Sequence, residues 1–112
     1  MRTITNAGTT YEIKFFKFTH DISPEGVVEA MNLAGFRSAS PEETMLGLTE
    51  RHGKCGSFIS IVGTVSIDGS LQYEARCVSP LLNGNLRIYW KSKPIKQSVW
   101  EPGWPFPGVR EI

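Results

Sequence analysis

The chain has 112 residues, of which 40% are hydrophobic and 21% are charged, and its formal net charge is +1. This length fits a single domain, residues 1–112, with one hydrophobic core. The proportion of hydrophobic to charged residues excludes wholesale disorder. The small net charge excludes the strong basic bias of a typical nucleic-acid-binding domain. No apolar run has the length of a membrane span, and the first residues lack the apolar stretch of a signal peptide. A cytoplasmic location without a membrane partner is therefore expected.

The first predicted element is a strand over residues 11–19, Tyr-Glu-Ile-Lys-Phe-Phe-Lys-Phe-Thr, which are aromatic and β-branched in large part. The alternation of apolar and polar residues breaks at Phe15 and Phe16. This break predicts either a bulge at these two residues or burial of the strand on both faces.

Two short helices are predicted next, and each begins with Ser-Pro. Ser23 is the expected N-cap of the first helix, residues 24–34, and Gly35 suits the left-handed residue that ends it. The segment Ser40-Pro41-Glu42-Glu43 predicts a capping box, in which the serine and the second glutamate satisfy each other's backbone N–H groups.

From Phe58 the apolar period changes to two, which predicts an antiparallel meander of three strands. In its second hairpin, Asn83-Gly84 favours a two-residue type I′ turn that pairs Cys77 with Trp90.

The first hairpin of the meander leaves two alternatives. A two-residue Asp68-Gly69 turn pairs Val65 with Gln72 and mixes the two faces. A three-residue loop, Asp68-Gly69-Ser70, pairs Val65 with Tyr73 and keeps the apolar faces together. The three-residue loop is preferred because a whole apolar face outweighs one turn preference.

The closing segment, Ser-Val-Trp-Glu-Pro-Gly-Trp-Pro-Phe-Pro-Gly-Val-Arg-Glu-Ile, is either an aromatic docking surface or the last part of the core. A strand over 106–111 would extend the meander, with Phe106 and Val109 in the core. Prolines before and inside this strand remove two donors, which predicts a position at a sheet edge. The sequence pattern does not decide whether Trp100 and Trp104 lie in the core or at an exposed binding surface.

Together these elements predict an α+β fold of two layers, an antiparallel β-meander with an N-terminal strand and two short helices packed on one face.

The order of several motifs resembles a family of short bacterial proteins of uncharacterised function. The motifs are Asp21-Ile22-Ser23, Gly35-Phe36-Arg37, Ser40-Pro41-Glu42-Glu43, the strand and turn Ile-Val-Gly-Thr-Val-Ser-Ile-Asp-Gly, and Phe106-x-x-Val109-Arg110. The resemblance implies the same layout, and it suggests an accessory protein of a bacterium or a mobile element. The chain departs from the family at Ser38 and Ser40, where Pro and Thr are usual. The resemblance implies no activity and no catalytic residues.

Metal and nucleophile chemistry have little support. His52-x-x-Cys55 is one closely spaced ligand pair, which His20 and Cys77 could join, whereas a structural zinc site needs four convergent ligands. The same pair is the best nucleophile and base, but no third group orients it. Without an export signal, Cys55 and Cys77 are expected to be thiols. No metal, cofactor or catalytic residue is predicted.

The strongest functional indication is a basic stretch, because residues 75–100 contain five bases and no acid. The predicted register puts its strand residues on one face, where they could hold phosphates and stack a base. The other interpretation is an ordinary solvated face balanced by acidic helices. The candidate binding residues are Arg76, Arg87, Tyr89, Lys91, Lys93 and Lys96, with Trp100 and Trp104 as aromatic candidates.

The sequence thus favours a small non-enzymatic binding module whose partner is another protein or a second copy, which an unprotected sheet edge could recruit as a homodimer. The alternative is a domain that binds nucleic acid or another polyanion through the basic face. A small enzyme comes third, since no acid–base constellation can be assembled.

Overall fold

A computed structural model describes residues 2–50, 57–80, 86–94 and 99–112 of the chain, with the backbone alone at 48–50, 67, 80 and 86–94. Two antiparallel sheets and two helices form this part of the chain. The predicted small α+β fold and the antiparallel meander are confirmed. The elements are β1 (Arg2–Asn6), β2 (Thr9–Phe16), α1 (Pro24–Leu33), β3 (Arg37–Ser38), α2 (Pro41–Glu50), β4 (Phe58–Ile67), β5 (Ser70–Pro80), β6 (Leu86–Pro94) and β7 (Phe106–Glu111).

The first sheet has the strand order β1-β2-β7-β3 and begins with a hairpin that the sequence analysis missed. β1 pairs with β2 around Ala7 and Gly8, which both have positive φ. The ring of Phe15 meets Phe58, with centroids 6.4 Å apart, whereas the ring of Phe16 meets Phe36 at 5.5 Å. Since the register of β2 with β7 is continuous, burial on both faces explains the broken alternation, and a bulge does not.

The strand predicted at 106–111 is confirmed, and both Phe106 and Val109 are buried. Its predicted place is wrong, because β7 lies between β2 and β3 and does not extend the meander. The prolines lack a donor, but their carbonyls still accept. The Ala39 N–H donates to the carbonyl of Pro107 at 2.9 Å, and the Ile59 N–H donates to that of Pro105 at 3.0 Å. These two carbonyls therefore fasten β7 and the residue before it to Ala39 and to β4 of the same chain.

Both helix starts form as predicted. The Gly26 N–H donates to the hydroxyl of Ser23 at 3.0 Å, and α1 ends at Leu33, two residues before Gly35 with its φ of 82°. In the capping box, the Glu43 N–H donates to the Ser40 hydroxyl at 3.1 Å, and the Ser40 N–H donates to the Glu43 carboxylate at 2.9 Å.

The two helices join different core clusters, which corrects the expectation that they share one face. Val27 and Met31 of α1 belong to the first cluster, together with Phe106, whereas Leu46 of α2 packs on the second cluster, which contains Val109. Phe106 and Val109 are three residues apart in β7, so their side chains leave opposite faces of the sheet. The first cluster consists of Val27, Met31, Phe36, Ile59, Ile61, Ala75, Trp100 and Phe106.

The β4–β5 hairpin turns through two residues, so the predicted three-residue loop is wrong. Asp68 and Gly69 have φ values of 49° and 77°, which suit a type I′ turn, and Val65 pairs with Gln72. A β-bulge at Val62 absorbs the resulting shift of register. The bulge thereby restores the alignment of apolar residues in the inner half, where Ile59 pairs with Cys77 and Ile61 with Ala75, while the two-residue turn keeps the faces mixed in the outer half.

The predicted pairing of Cys77 with Trp90 is wrong by one residue. β5 pairs Cys77 with Tyr89 and Arg76 with Trp90. The two-residue turn predicted at Asn83-Gly84 lies outside the described residues.

Candidate binding groove

A groove runs along the outer side of α1, between this helix and the β4–β5 hairpin. It consists of two adjoining clefts with volumes of about 400 and 260 Å³, which share Val28, Asn32 and Tyr73. We call this surface the α1 groove. Its outer cleft also contacts Glu25, Glu29 and Leu33. Its inner cleft also contacts Met31, Arg37, Ser38, Ile61, Val62 and Gly63.

The helical period explains which side chains face the groove. Val27 and Met31 point into the core, so Val28 and Asn32, one position further along, lie on the shoulder of α1. Val28 is half-buried and Asn32 is exposed. Leu33 is 83% exposed. Apolar surface thus remains uncovered on the helix side of the groove.

The sheet side of the groove is shaped by the bulge. Val62 is the extra residue of the bulge and is 37% exposed, and Gly63 follows it with a φ of 146°. Tyr73 is half-buried against the first core cluster, and Leu71, on the same face of β5, is 57% exposed. Apolar side chains therefore meet the groove from both the helix and the sheet.

A separate cleft of about 530 Å³, outside the α1 groove as defined above, lies near β3 and contacts Arg37 and Arg110. Both guanidinium groups are balanced by carboxylates. Arg37 contacts Glu43 at 2.8 Å, and the Nε of Arg110 donates to Glu12 at 2.6 Å. Arg110 also stacks on the ring of Phe36, 4.9 Å from its centroid. Because these charges are paired, the cleft does not present an uncompensated basic site.

The pairing of Arg37 with Glu43 shifts both titrations. The hydrogen bond from Arg37 lowers the pKa of the Glu43 carboxyl, and the bond from the Ser40 N–H acts in the same direction. The same pair raises the pKa of Arg37. The two groups are therefore charged at neutral pH, and they connect β3 to the first turn of α2.

The predicted basic face loses one of its members. Arg76 is half-buried and pairs with Glu42 of α2 at 3.4 Å. Its partner in the ladder is Trp90, so it stands at the alternate position to the other candidates of β6. Those candidates are Arg87, Tyr89, Lys91 and Lys93, which pair with Ser79, Cys77, Ala75 and Tyr73. The expected alignment of Arg76 with them rested on the wrong register. Their side chains, and Lys96 entirely, lie outside what the structure describes.

Of the two candidate tryptophans, Trp100 belongs to the core. It is 4% exposed, its ring lies 5.2 Å from that of Phe106, and its backbone forms a two-bond bridge with Ile22. It therefore cannot form an exposed aromatic site, which corrects that candidate role. Trp104 is half-buried and packs against the same first cluster.

Within the described ranges, no three His, Cys, Asp or Glu side chains converge as metal ligands would. The predicted His52-x-x-Cys55 pair falls outside those ranges and stays a prediction, as does the thiol state of Cys55. Cys77 is half-buried against the first cluster. Neither α1 nor α2, the helices of the described segments, combines the length and apolar character that crossing a membrane requires.

Comparisons with protein-family models, with curated proteins and with solved structures give no match for this chain. The function is therefore inferred from the geometry of the chain itself. The α1 groove could not be predicted from the sequence because its walls come from two distant segments. The available signal was Val28, an apolar residue beside the helical stripe that the core covers only in part.

Proposed function

We propose that the chain is a small non-enzymatic module that binds a partner protein through the α1 groove and acts in the cytoplasm. The observation that carries this proposal is the convergence of Val28, Val62 and Tyr73 on one concave surface. Polar residues, Glu25 and Glu29 among them, stand at the outer end. An apolar centre with a polar margin is the usual composition of a protein-binding surface.

An exposed leucine in the groove supplies a driving force. Leu33 contacts the outer cleft and is mostly exposed in the chain alone. Covering a leucine side chain completely stabilises a complex by roughly 1.5–3 kcal/mol before the costs of association. Single exposed apolar residues are common on protein surfaces, and Leu33 is significant because it borders a groove with further apolar side chains.

A groove-filling variant tests the proposal. Asn32 is exposed and contacts both clefts, so Asn32→Trp should fill the groove without touching the core. Ala34→Trp is the matched control, because it adds the same ring two residues away, at an exposed position that contacts neither cleft. A phage-displayed library of short random linear peptides serves as the probe.

We expect peptides selected on the wild-type chain to bind the Ala34→Trp variant equally well and the Asn32→Trp variant at least ~10-fold more weakly, about 1.4 kcal/mol. Selection that yields no peptide above a blank surface would overturn the proposal. Equal binding by the Asn32→Trp variant would place the binding surface elsewhere and overturn the assignment to the α1 groove.

A further inference from the structure

The outer half of β4 has an open edge beside the α1 groove. In a two-residue hairpin the closing pair exchanges hydrogen bonds, and bonded and non-bonded pairs then alternate along the ladder. The closing pair here is Ile67 with Ser70. Thr64 and Ser66 therefore point their backbone groups away from β5. Among the described residues, none forms a backbone hydrogen bond with them on that side.

The backbone N–H groups along the inner half of the same edge of β4 already have hydrogen-bond partners. The open part of the edge therefore begins only beyond Ile61. The Ile59 N–H donates to the carbonyl of Pro105, and the Ile61 N–H donates to the hydroxyl of Ser38 at 3.1 Å. The bulge at Val62 comes next. The inner cleft of the α1 groove starts at this point, since both Ser38 and Gly63 contact it.

This edge lacks the features that commonly protect a strand from further pairing. Residues 63–67 are Gly-Thr-Val-Ser-Ile, with no charge and no proline. Tyr73, which contacts both clefts of the groove, lies directly across the ladder from Thr64. Free backbone groups and an apolar surface are thus adjacent, as they are where a peptide adds to a sheet as a further strand.

We infer that an extended segment of the partner protein adds to β4 as a strand at Thr64 and Ser66. Its alternate side chains rest on Val28 and Tyr73, and a lysine or arginine of the segment faces the exposed Glu29 at the outer end. This inference rests on the proposed function and specifies the chemistry of the ligand.

The acidic end of the groove favours a basic partner segment over a second copy of the chain. Two copies joined edge to edge by a two-fold axis would bring their α1 helices to the same side of the joined sheet. The exposed Glu29 of both copies would then border one surface, and like charges facing each other oppose such a contact.

A proline in the open edge tests the inference. The N–H of Thr64 points away from β5, so Thr64→Pro removes a donor from the edge and leaves the β4–β5 ladder intact. Thr64→Val is the control that changes the side chain and keeps the donor. Peptides selected on the wild-type chain from the random library are measured against both variants, whose thermal midpoints are recorded.

We expect the selected peptides to be rich in Lys or Arg, to bind the Thr64→Val variant like the wild type, and to bind the Thr64→Pro variant at least ~10-fold more weakly. Their binding should also weaken as salt is raised. Hydrogen exchange of the Thr64 and Ser66 amides should slow when the peptide binds. This second measurement decides the question if the proline variant does not fold.

Several outcomes would overturn the inference in distinguishable ways. Equal binding by the Thr64→Pro variant, or unchanged exchange of the two amides, would contradict strand addition while weaker binding by the Asn32→Trp variant still supports the proposed function. Failure to select any peptide would overturn both. A dimer in light scattering that Thr64→Pro dissociates would make a second copy the occupant and replace the partner segment.

Discussion

Arg37 donates two hydrogen bonds to the carboxylate of Glu43, at 3.0 and 2.8 Å, and so fastens the short strand β3 to the first turn of α2. Glu43 at the same time closes the capping box with Ser40. One buried carboxylate therefore serves the start of a helix and the attachment of a strand.

This arrangement predicts a loss of stability in acid. Because the pKa of Glu43 in the folded chain lies below its ordinary value of 4.5, protonation favours the unfolded state. The contribution of the pair should be fully present above about pH 4.5 and lost as the pH falls through the lower folded-state pKa. Urea denaturation across this range measures it.

Glu43→Gln should lower the free energy of unfolding at neutral pH by about 1–2 kcal/mol, a value reduced for the half-exposed Arg37. The difference from the wild type should shrink at an acidic pH well below the ordinary pKa of 4.5. Glu42→Gln is the control, since the Glu42 side chain is 72% exposed, and it should change the stability by less than ~0.5 kcal/mol. A Glu43→Gln effect that is the same at both pH values would contradict the assignment.

The turn between β4 and β5 predicts that substitutions at two neighbouring positions differ in their effect on stability. Gly69→Ala should destabilise the fold by about 1 kcal/mol, because a side chain is disfavoured at its φ of 77°. Asp68→Asn should be neutral within about 0.5 kcal/mol, since Asn-Gly suits the same type I′ turn. Urea denaturation of both variants checks this, and equal effects would argue against the turn as described.

The two described tryptophans should differ sharply in what they contribute to stability. Trp100→Ala removes a buried ring packed against Phe106 and should cost about 3–5 kcal/mol. Trp104→Ala, at a half-buried position, should cost less than half as much. Thermal and urea unfolding of the two variants decide the matter, and comparable losses would show that Trp104 also belongs to the core.

Gly108 predicts a specific rescue. A Cβ at this position would lie 2.9 Å from the ring of Phe16, which is held in place against Phe36. Gly108→Ala should therefore destabilise the fold by about 1–3 kcal/mol through overpacking. Phe16→Leu should cost less in the Gly108→Ala background than in the wild type. A double-mutant cycle measures this coupling, and simple additivity would contradict the contact.

The features that depend on neighbouring residues could be predicted from the sequence. Ser23 and Ser40 start their helices because the partners of each cap lie within the next three residues. The strand at 106–111 and the burial of Phe106 follow from local apolar pattern. The hairpin partner of β2 escaped prediction because, of its five residues, only Ile4 is buried.

The features that depend on distant residues could not be predicted. The carbonyls of Pro105 and Pro107 accept from Ile59 and Ala39, which are distant in sequence, and no local pattern predicts these bonds or the place of β7 inside the sheet. The bulge at Val62 joins two registers, one set by the Asp68-Gly69 turn and one that aligns the apolar residues of the inner half of the hairpin. Neither the turn preference nor the apolar pattern alone predicts both registers. The α1 groove depends on both, because its inner cleft is bounded by the bulge and by Ser38 of β3.

The central position of β7 also determines when the fold can be completed. Phe16 pairs with Phe106, about 90 residues later in the chain. During synthesis, the edge of β2 that receives β7 therefore stays without this partner until residues 106–111 have left the ribosome. Such long-range closure slows folding and exposes a sheet edge to other chains in the meantime. We expect this protein to depend on the pace of its own translation, and to meet chaperones most often just before β7 becomes available.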